Sequence, residues 1–350
     1  TVRSVSGGPA EVMASAQETR SPTAMGSATT PLVVATKFRP PRLRSELIER
    51  ESLVQRLREG REHALTLVCA PAGYGKSTLL SQWMETDRAQ RPFAWMSLDE
   101  SDSDPTRLWA HLIAGIREAH PPAGERSLGA LAGGPRTISE RVMPHLVREL
   151  GDAPGLVVIL DDWHLVRNPL CDATMALFIE RAPDAVQIVI STRADPNLPV
   201  ARLRAHGALS ELRAAELRTS TKEAVELFER AEVELSTSDV ERLNDRAEGW
   251  LAGICLALLA VKDHEDRQRF VDEFSGNTRH VLDFLARDVL SGVSPDTRDF
   301  LLRTSVLGRL SAGLCDAALE TSNSAAMLAG IARENLFLVQ LDELGEQYRY

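Results

Sequence analysis

The residues best suited to chemistry run from Ala70 to Thr78, Ala-Pro-Ala-Gly-Tyr-Gly-Lys-Ser-Thr. Apart from Ala70 in place of a first glycine, the run has the GxxxxGK[ST] spacing of a phosphate-binding loop. Gly73 and Gly75 allow successive backbone N–H groups to turn inward on phosphate oxygens, and a helix opening at Lys76 adds the positive end of its dipole. The residues expected to hold nucleotide are therefore Pro71, Ala72, Gly73, Tyr74, Gly75, Lys76, Ser77 and Thr78. Lys76 is expected to reach the β- and γ-phosphates, and Ser77 to offer its hydroxyl to Mg²⁺. The chain's 40 basic residues include only four lysines, so a lysine at this place is no accident of composition.

A second constellation lies at Leu156-Val157-Val158-Ile159-Leu160-Asp161-Asp162, an apolar run that ends in two carboxylates. Alone it reads equally well as a turn cap. Paired with a phosphate loop it has the Walker B form, with Asp161 placed to hold Mg²⁺ and Asp162 to orient or deprotonate an attacking water. A third element is Thr192-Arg193 at the end of another apolar run, where an arginine at the carboxyl edge of a sheet can sense a γ-phosphate. In so arginine-rich a chain a surface arginine after a strand is the competing reading. His164 carries no expected catalytic role.

Strands are predicted at 64–70, 92–98, 155–160 and 185–191, with helices at 76–87, 105–119, 137–150 and 169–181. The alternation implies an α/β fold, a P-loop NTPase parallel sheet with helices on both faces, expected over residues 36–215. After Thr219 the strand patterns stop, and capping boxes at Ser220-x-x-Glu223 and Ser238-x-x-Glu241 announce a helical domain over 216–292. From 293 to 350 three helical patterns, at 295–304, 311–319 and 323–334, precede LFLVQL, a turn at Asp342 to Gly345, and QYRY. That order is a winged helix. It stops inside the second hairpin strand, so the natural protein is expected to continue past Tyr350. Residues 1–35, rich in small and polar residues, are expected to form a disordered leader.

A chain of 350 residues exceeds the roughly 250 to 300 that one core supports, which agrees with several domains. Its net charge of −10 opposes contact with nucleic acid by this segment alone. The four cysteines, Cys69, Cys171, Cys255 and Cys315, form no CxxC pair and suggest neither zinc nor disulfides. The longest apolar run, Trp250 to Val261, falls short of the about twenty residues of a membrane span. A cytoplasmic protein is expected.

Beyond these motifs, TKFRPPR (36–42), APAGYGKSTLLSQW, AWMSLDESDSDP, LDDWHLV, STRADPNLPVARLRAHGAL, AEGWLAGICLAL and FLLRTSVLGRLSAGLCDAAL occur in an order that resembles MalT-type LuxR-family regulators, over about residues 36–350. The late stretches FSGNTRHVLDFLARDVL and ENLFLVQLDELGEQYRY resemble the same family. The resemblance implies a STAND-type signalling ATPase, ADP-bound at rest, that exchanges to ATP and self-associates when an inducer binds, with slow hydrolysis as a reset. It maps the family's sensor arginine onto Arg193 and a nucleotide-facing arginine onto Arg50. The GLPLA motif of other branches, whose proline touches adenine, corresponds here to Gly249-Trp250-Leu251-Ala252-Gly253, which has no proline, so no adenine contact is carried over. The family's inducer-sensing domain and its LuxR helix-turn-helix have no counterpart in these 350 residues, so an inducer and DNA are expected partners only through regions beyond them. The rival reading is a turnover ATPase, a motor or a kinase, unconnected with transcription; neither an arginine finger nor an acceptor pocket is identifiable.

Overall fold

A computed structural model describes residues 34–43, 47–153, 155–262, 264, 266–274, 285, 290, 293–334, 336, 338–342 and 346–350. The expected leader up to residue 33, most of FSGNTRHVLDFLARDVL, and residues 343–345 of the expected hairpin turn lie outside the described residues.

Five strands, β1 (Leu65–Cys69), β2 (Phe93–Ser97), β3 (Val157–Asp161), β4 (Gln187–Thr192) and β5 (Leu209–Arg213), form one parallel sheet in the order β2-β3-β4-β1-β5. The first four grow from the predicted apolar runs. β5, Leu-Ser-Glu-Leu-Arg, was not predicted: an edge strand pairs on one side only and needs no continuous apolar run. The connecting helices are α1 (Glu51–Glu59), α2 (Lys76–Asp87), α3 (Pro105–Ala119), α4 (Glu125–Leu131), α5 (Met143–Glu149), α6 (Pro169–Arg181), α7 (Val200–Ala205) and α8 (Ala214–Leu217). The helix predicted at 137–150 opens with a π turn, Ile138–Val142, before α5. Pro144, which has no N–H for the α ladder, follows that turn.

Both faces of the sheet are covered, which is why its inner strands read as unbroken apolar runs. Leu65, Leu67, Val158, Leu160, Ile188 and Ile190 pack with Trp109, Ile113 and Phe178 on one side. Val68, Val157, Ile159 and Val189 meet Leu57, Leu80 and Trp83 on the other. The segment Ala35–Phe38 is pinned by charge to the turn that precedes α3: buried Lys37 pairs with Asp102 and, at 2.8 Å, with Asp99, while His111 Nδ1 of α3 stands 2.8 Å from Asp102.

Helices α9 (Thr221–Arg230), α10 (Thr237–Arg246), α11 (Leu251–Lys262) and α12 (Arg267–Glu273) enclose a separate core of Phe228, Leu243, Ile254, Val261 and Phe270. The Ser220/Glu223 capping box forms as predicted. The second cap does not: Ser236 rather than Ser238 accepts from the Asp239 N–H, so α10 starts at Thr237. At the end of the chain α13 (Pro295–Thr304), α14 (Ala312–Leu319) and α15 (Ser324–Arg333) pack through Phe300, Cys315, Leu328 and Ile331. An antiparallel pair, β6 (Val339–Gln340) and β7 (Tyr348–Arg349), completes this part, with Leu310 bridging Tyr348.

Candidate nucleotide site

The loop between β1 and α2 makes its turns at glycines. Gly73 and Gly75 have φ of +80° and +77°, the left-handed region that costs other residues energy. Space imposes the same choice. A Cβ on Gly73 would lie 2.5 Å from Trp250 Nε1, and one on Gly75 would lie 2.7 Å from Leu251 Cδ2. Lys76 follows at the helix start, buried, with Nζ donating to Ala70 O at 2.7 Å and Pro71 O at 3.1 Å. Ala70, the departure from the glycine pattern, is itself fully buried.

Strand order brings the distant residues together. Because β4 lies between β1 and β3, the ends of all three strands converge on this loop. Ser77 Oγ donates to Asp161 Oδ1 at 3.1 Å, Ser191 Oγ donates to the same oxygen, and the Asp162 N–H donates back to Ser191 Oγ at 3.2 Å. Asp161 is 3% exposed and the Asp162 side chain 36%, so the two neighbouring carboxylates occupy different media. Asp162 also takes a left-handed φ of +63°, uncommon for a residue with a Cβ. Ser191 escaped sequence reasoning. Its signal was a hydroxyl at the carboxyl end of a buried strand, but its partner is set by cross-strand register alone.

The electrostatics follow from burial. Desolvation pushes the Lys76 ammonium down to about 8; Arg193 pushes the same way, while Asp162 and Asp161 oppose it. Desolvation and the neighbouring Asp162 raise Asp161, against hydrogen bonds from Ser191 and Ser77. Burial, then the cations Arg193, Lys76 and Arg167, push His164 down to about 3, so it is neutral near pH 7. Arg193 is thus close enough to act on both Lys76 and His164. The donor set suits a magnesium-bound polyphosphate: a loop that turns at two left-handed glycines, one buried ammonium, and a hydroxyl beside a carboxylate.

Two residues stand otherwise than expected. Arg50 faces the start of the helical region, where Nη1 donates to Leu217 O at 3.0 Å, Nη2 to Arg218 O at 2.9 Å, and Nε to Glu223 at 2.8 Å. Its guanidinium fastens the leading segment to the α9 cap. Trp250, read from the sequence only as the start of an apolar run and as part of the stretch that lacks a proline, lies directly on the loop: Nε1 donates to Ala72 O at 3.0 Å, and the Ala252 N–H donates to Gly73 O at 2.9 Å. No local pattern could have revealed that pairing.

Among the described residues no helix is long and apolar enough to cross a membrane, and no group of His, Cys, Asp or Glu side chains has the makings of a separate metal centre.

Comparison with known proteins agrees with this architecture. Residues 286–350 match the MalT winged helix domain family. The chain is 31% identical over 324 residues to the serine/threonine-protein kinase PknK of Mycobacterium tuberculosis, covering 92% of this chain and 29% of the kinase. It is 32% identical over 331 residues to the HTH-type transcriptional regulator MalT of Klebsiella pneumoniae, covering 91% of this chain and 35% of the regulator. The chain thus spans about a third of the length of these curated relatives. A Walker-type ATPase of Pyrococcus abyssi superposes with a TM-score of 0.60 at 16% identity, over 89% of this chain and 95% of that one, which supports the fold.

Proposed function

The chain is a relative of the MalT-type transcriptional regulators, a P-loop ATPase fold ending in a MalT winged helix, and on that premise we propose that it is the ATP-controlled switch of such a regulator. The observation that carries the reading is the convergence of Gly73, Gly75, Lys76, Ser77 and Asp161 at the carboxyl ends of β1 and β3, the two parallel strands that flank β4.

In this reading Pro71 to Thr78 cradle the phosphates, Lys76 neutralises them, and Ser77 with Asp161 holds Mg²⁺. The metal, when bound, supplies charge compensation on the β- and γ-phosphate oxygens. Asp162 is the carboxylate accessible enough to orient a water, which suits slow hydrolysis as a reset. Arg193 senses the γ-phosphate through the same field that it exerts on Lys76. Arg50, whose guanidinium is taken up by Glu223 and two carbonyls, serves the site indirectly by anchoring the helical region. The ADP form rests, and the ATP form self-associates. Inducer and operator DNA are engaged by regions outside residues 1–350.

Purified protein loaded with MgADP or MgATP and sized by light scattering tests this. Nucleotide binding with a larger mass in MgATP is expected; absence of nucleotide binding sinks the proposal. The similarity to PknK favours a second reading in which the switch is retained and its output is protein phosphorylation by a separate domain. Putting residues 1–350 in place of the matching region of MalT discriminates the two: a chimera that still activates transcription in response to nucleotide supports the first reading, and one that binds nucleotide without activating transcription supports the second.

A further inference from the structure

A loop that turns its N–H groups inward on phosphate must turn peptide carbonyls outward, and each outward carbonyl needs a donor or water. Two of those carbonyls, Ala72 O and Gly73 O, take their hydrogen bonds from one turn of the helical region, through the Trp250 indole at 3.0 Å and the Ala252 amide at 2.9 Å. The approach is close enough that only glycine fits at 73 and 75: a Cβ at Gly73 would meet Trp250 Nε1 at 2.5 Å and Ala252 Cβ at 2.7 Å.

The turn itself is held from two further directions. Gly249, with φ of +70°, accepts from the Thr219 N–H at 2.8 Å. Glu248, also left-handed, receives Arg349 of β7 through two hydrogen bonds of 2.6 and 2.8 Å. That ion pair is partly exposed, and so is the kind that contributes little and breaks readily.

We propose that Trp250 is a positioning residue for the nucleotide: its indole N–H fixes the Ala72 peptide so that the loop amides face the phosphates, which couples phosphate binding to docking of the helical region. The inference rests on the nucleotide-switch reading and adds a part to it. By linkage, whatever stabilises the docked turn tightens nucleotide binding, and bound nucleotide holds the turn in place. Through Glu248 the same turn also touches the terminal hairpin, by a partly exposed ion pair with Arg349.

The test uses the 350-residue protein and its Trp250→Phe variant, which keeps an aromatic ring and removes the donor. MgADP affinity is measured by titration with a fluorescent ADP analogue, alongside the unfolding midpoint without nucleotide. Affinity of the folded protein is expected to fall about five- to tenfold, the loss typical of one such hydrogen bond, over and above any drop in the ligand-free midpoint. A merely structural role for Trp250 would lower the midpoint in proportion and leave affinity in the folded fraction unchanged. Hydrogen exchange on the wild type provides an arm independent of the variant's folding: MgADP should slow exchange at Leu251 to Gly253 as well as at the loop. Equal affinity in wild type and variant, or no added protection in that turn, overturns the inference while leaving the nucleotide site standing. Failure of the wild type to bind MgADP overturns both.

Discussion

Ser77 and Asp161, separated by 84 positions in the chain, meet at 3.1 Å with the hydroxyl donating to the carboxylate. The contact exists because β4 lies between β1 and β3 and holds both strand ends at one edge of the sheet, with Ser191 bonded to the same Asp161 oxygen. It joins the loop that would hold phosphate to the carboxylate that would hold its metal.

The first prediction concerns binding itself. Nucleotide with Mg²⁺ at ~1,000 times its dissociation constant should stabilise the wild type by about 4 kcal/mol. Lys76→Ala removes the buried ammonium beside the loop carbonyls and should abolish that gain. Thermal unfolding with and without MgATP measures it; an equal rise in melting temperature for wild type and variant excludes the site.

Asp161 and Asp162 should separate in their effects, because one is buried among hydroxyls and the other reaches solvent. Asp161→Asn is expected to weaken Mg²⁺-dependent nucleotide binding by about 10- to 100-fold, as losses around metal sites do. Asp162→Asn should keep binding and slow hydrolysis by about 100-fold or more, the usual worth of a general base. Phosphate release under single turnover distinguishes them, and an unchanged rate in Asp162→Asn removes that residue from the mechanism.

Lys76 should make nucleotide binding proton-linked. Burial lowers its ammonium to about 8, whereas in the unfolded chain it titrates near ~10.4. Between those values the unfolded chain binds the proton and the folded chain does not, so the contribution of Lys76 to stability rises with pH across that window. Below about pH 8 both states are protonated and the burial cost is fully present. Bound phosphate favours the ammonium, so binding near pH 8.5 should take up a proton. Calorimetry in two buffers of different ionisation heat detects the uptake, which Lys76→Arg should abolish because its guanidinium stays charged. Identical heats for the wild type in both buffers contradict the assignment.

Residues 1–350 should show no specific DNA binding, with or without ATP. The net charge is −10, and α15 offers Arg333 as its single cation, whose Nε donates to Ala329 O at 3.2 Å in the same helix. Helices that read base edges present several cationic or amide side chains. A mobility-shift titration at physiological salt, comparing the regulator's own promoter with an unrelated duplex, is the check. Sequence-selective retention would transfer the reading function to this winged helix.

The amino-acid sequence by itself determined the loop, the Walker B run, four of the five strands, the Ser220 cap and the order of the three helices before the hairpin. Each is a local matter: a left-handed φ demands glycine, a strand buried on both faces demands an unbroken apolar run, and a helix start demands a side-chain acceptor for its open amides. Tertiary structure alone decided the rest. β5 carries Ser210, Glu211 and Arg213 and gains its place from pairing with β1, not from its composition. Ser191 reaches Asp161 only through the β3–β4 register, Arg50 turns to Glu223 across 173 positions, and Trp250 finds Ala72 across 178. Those pairings join groups whose own neighbours in the chain say nothing of one another. They form because folding brings the sheet edge, the leading segment and the helical region to one place, where buried carbonyls and carboxylates must find donors.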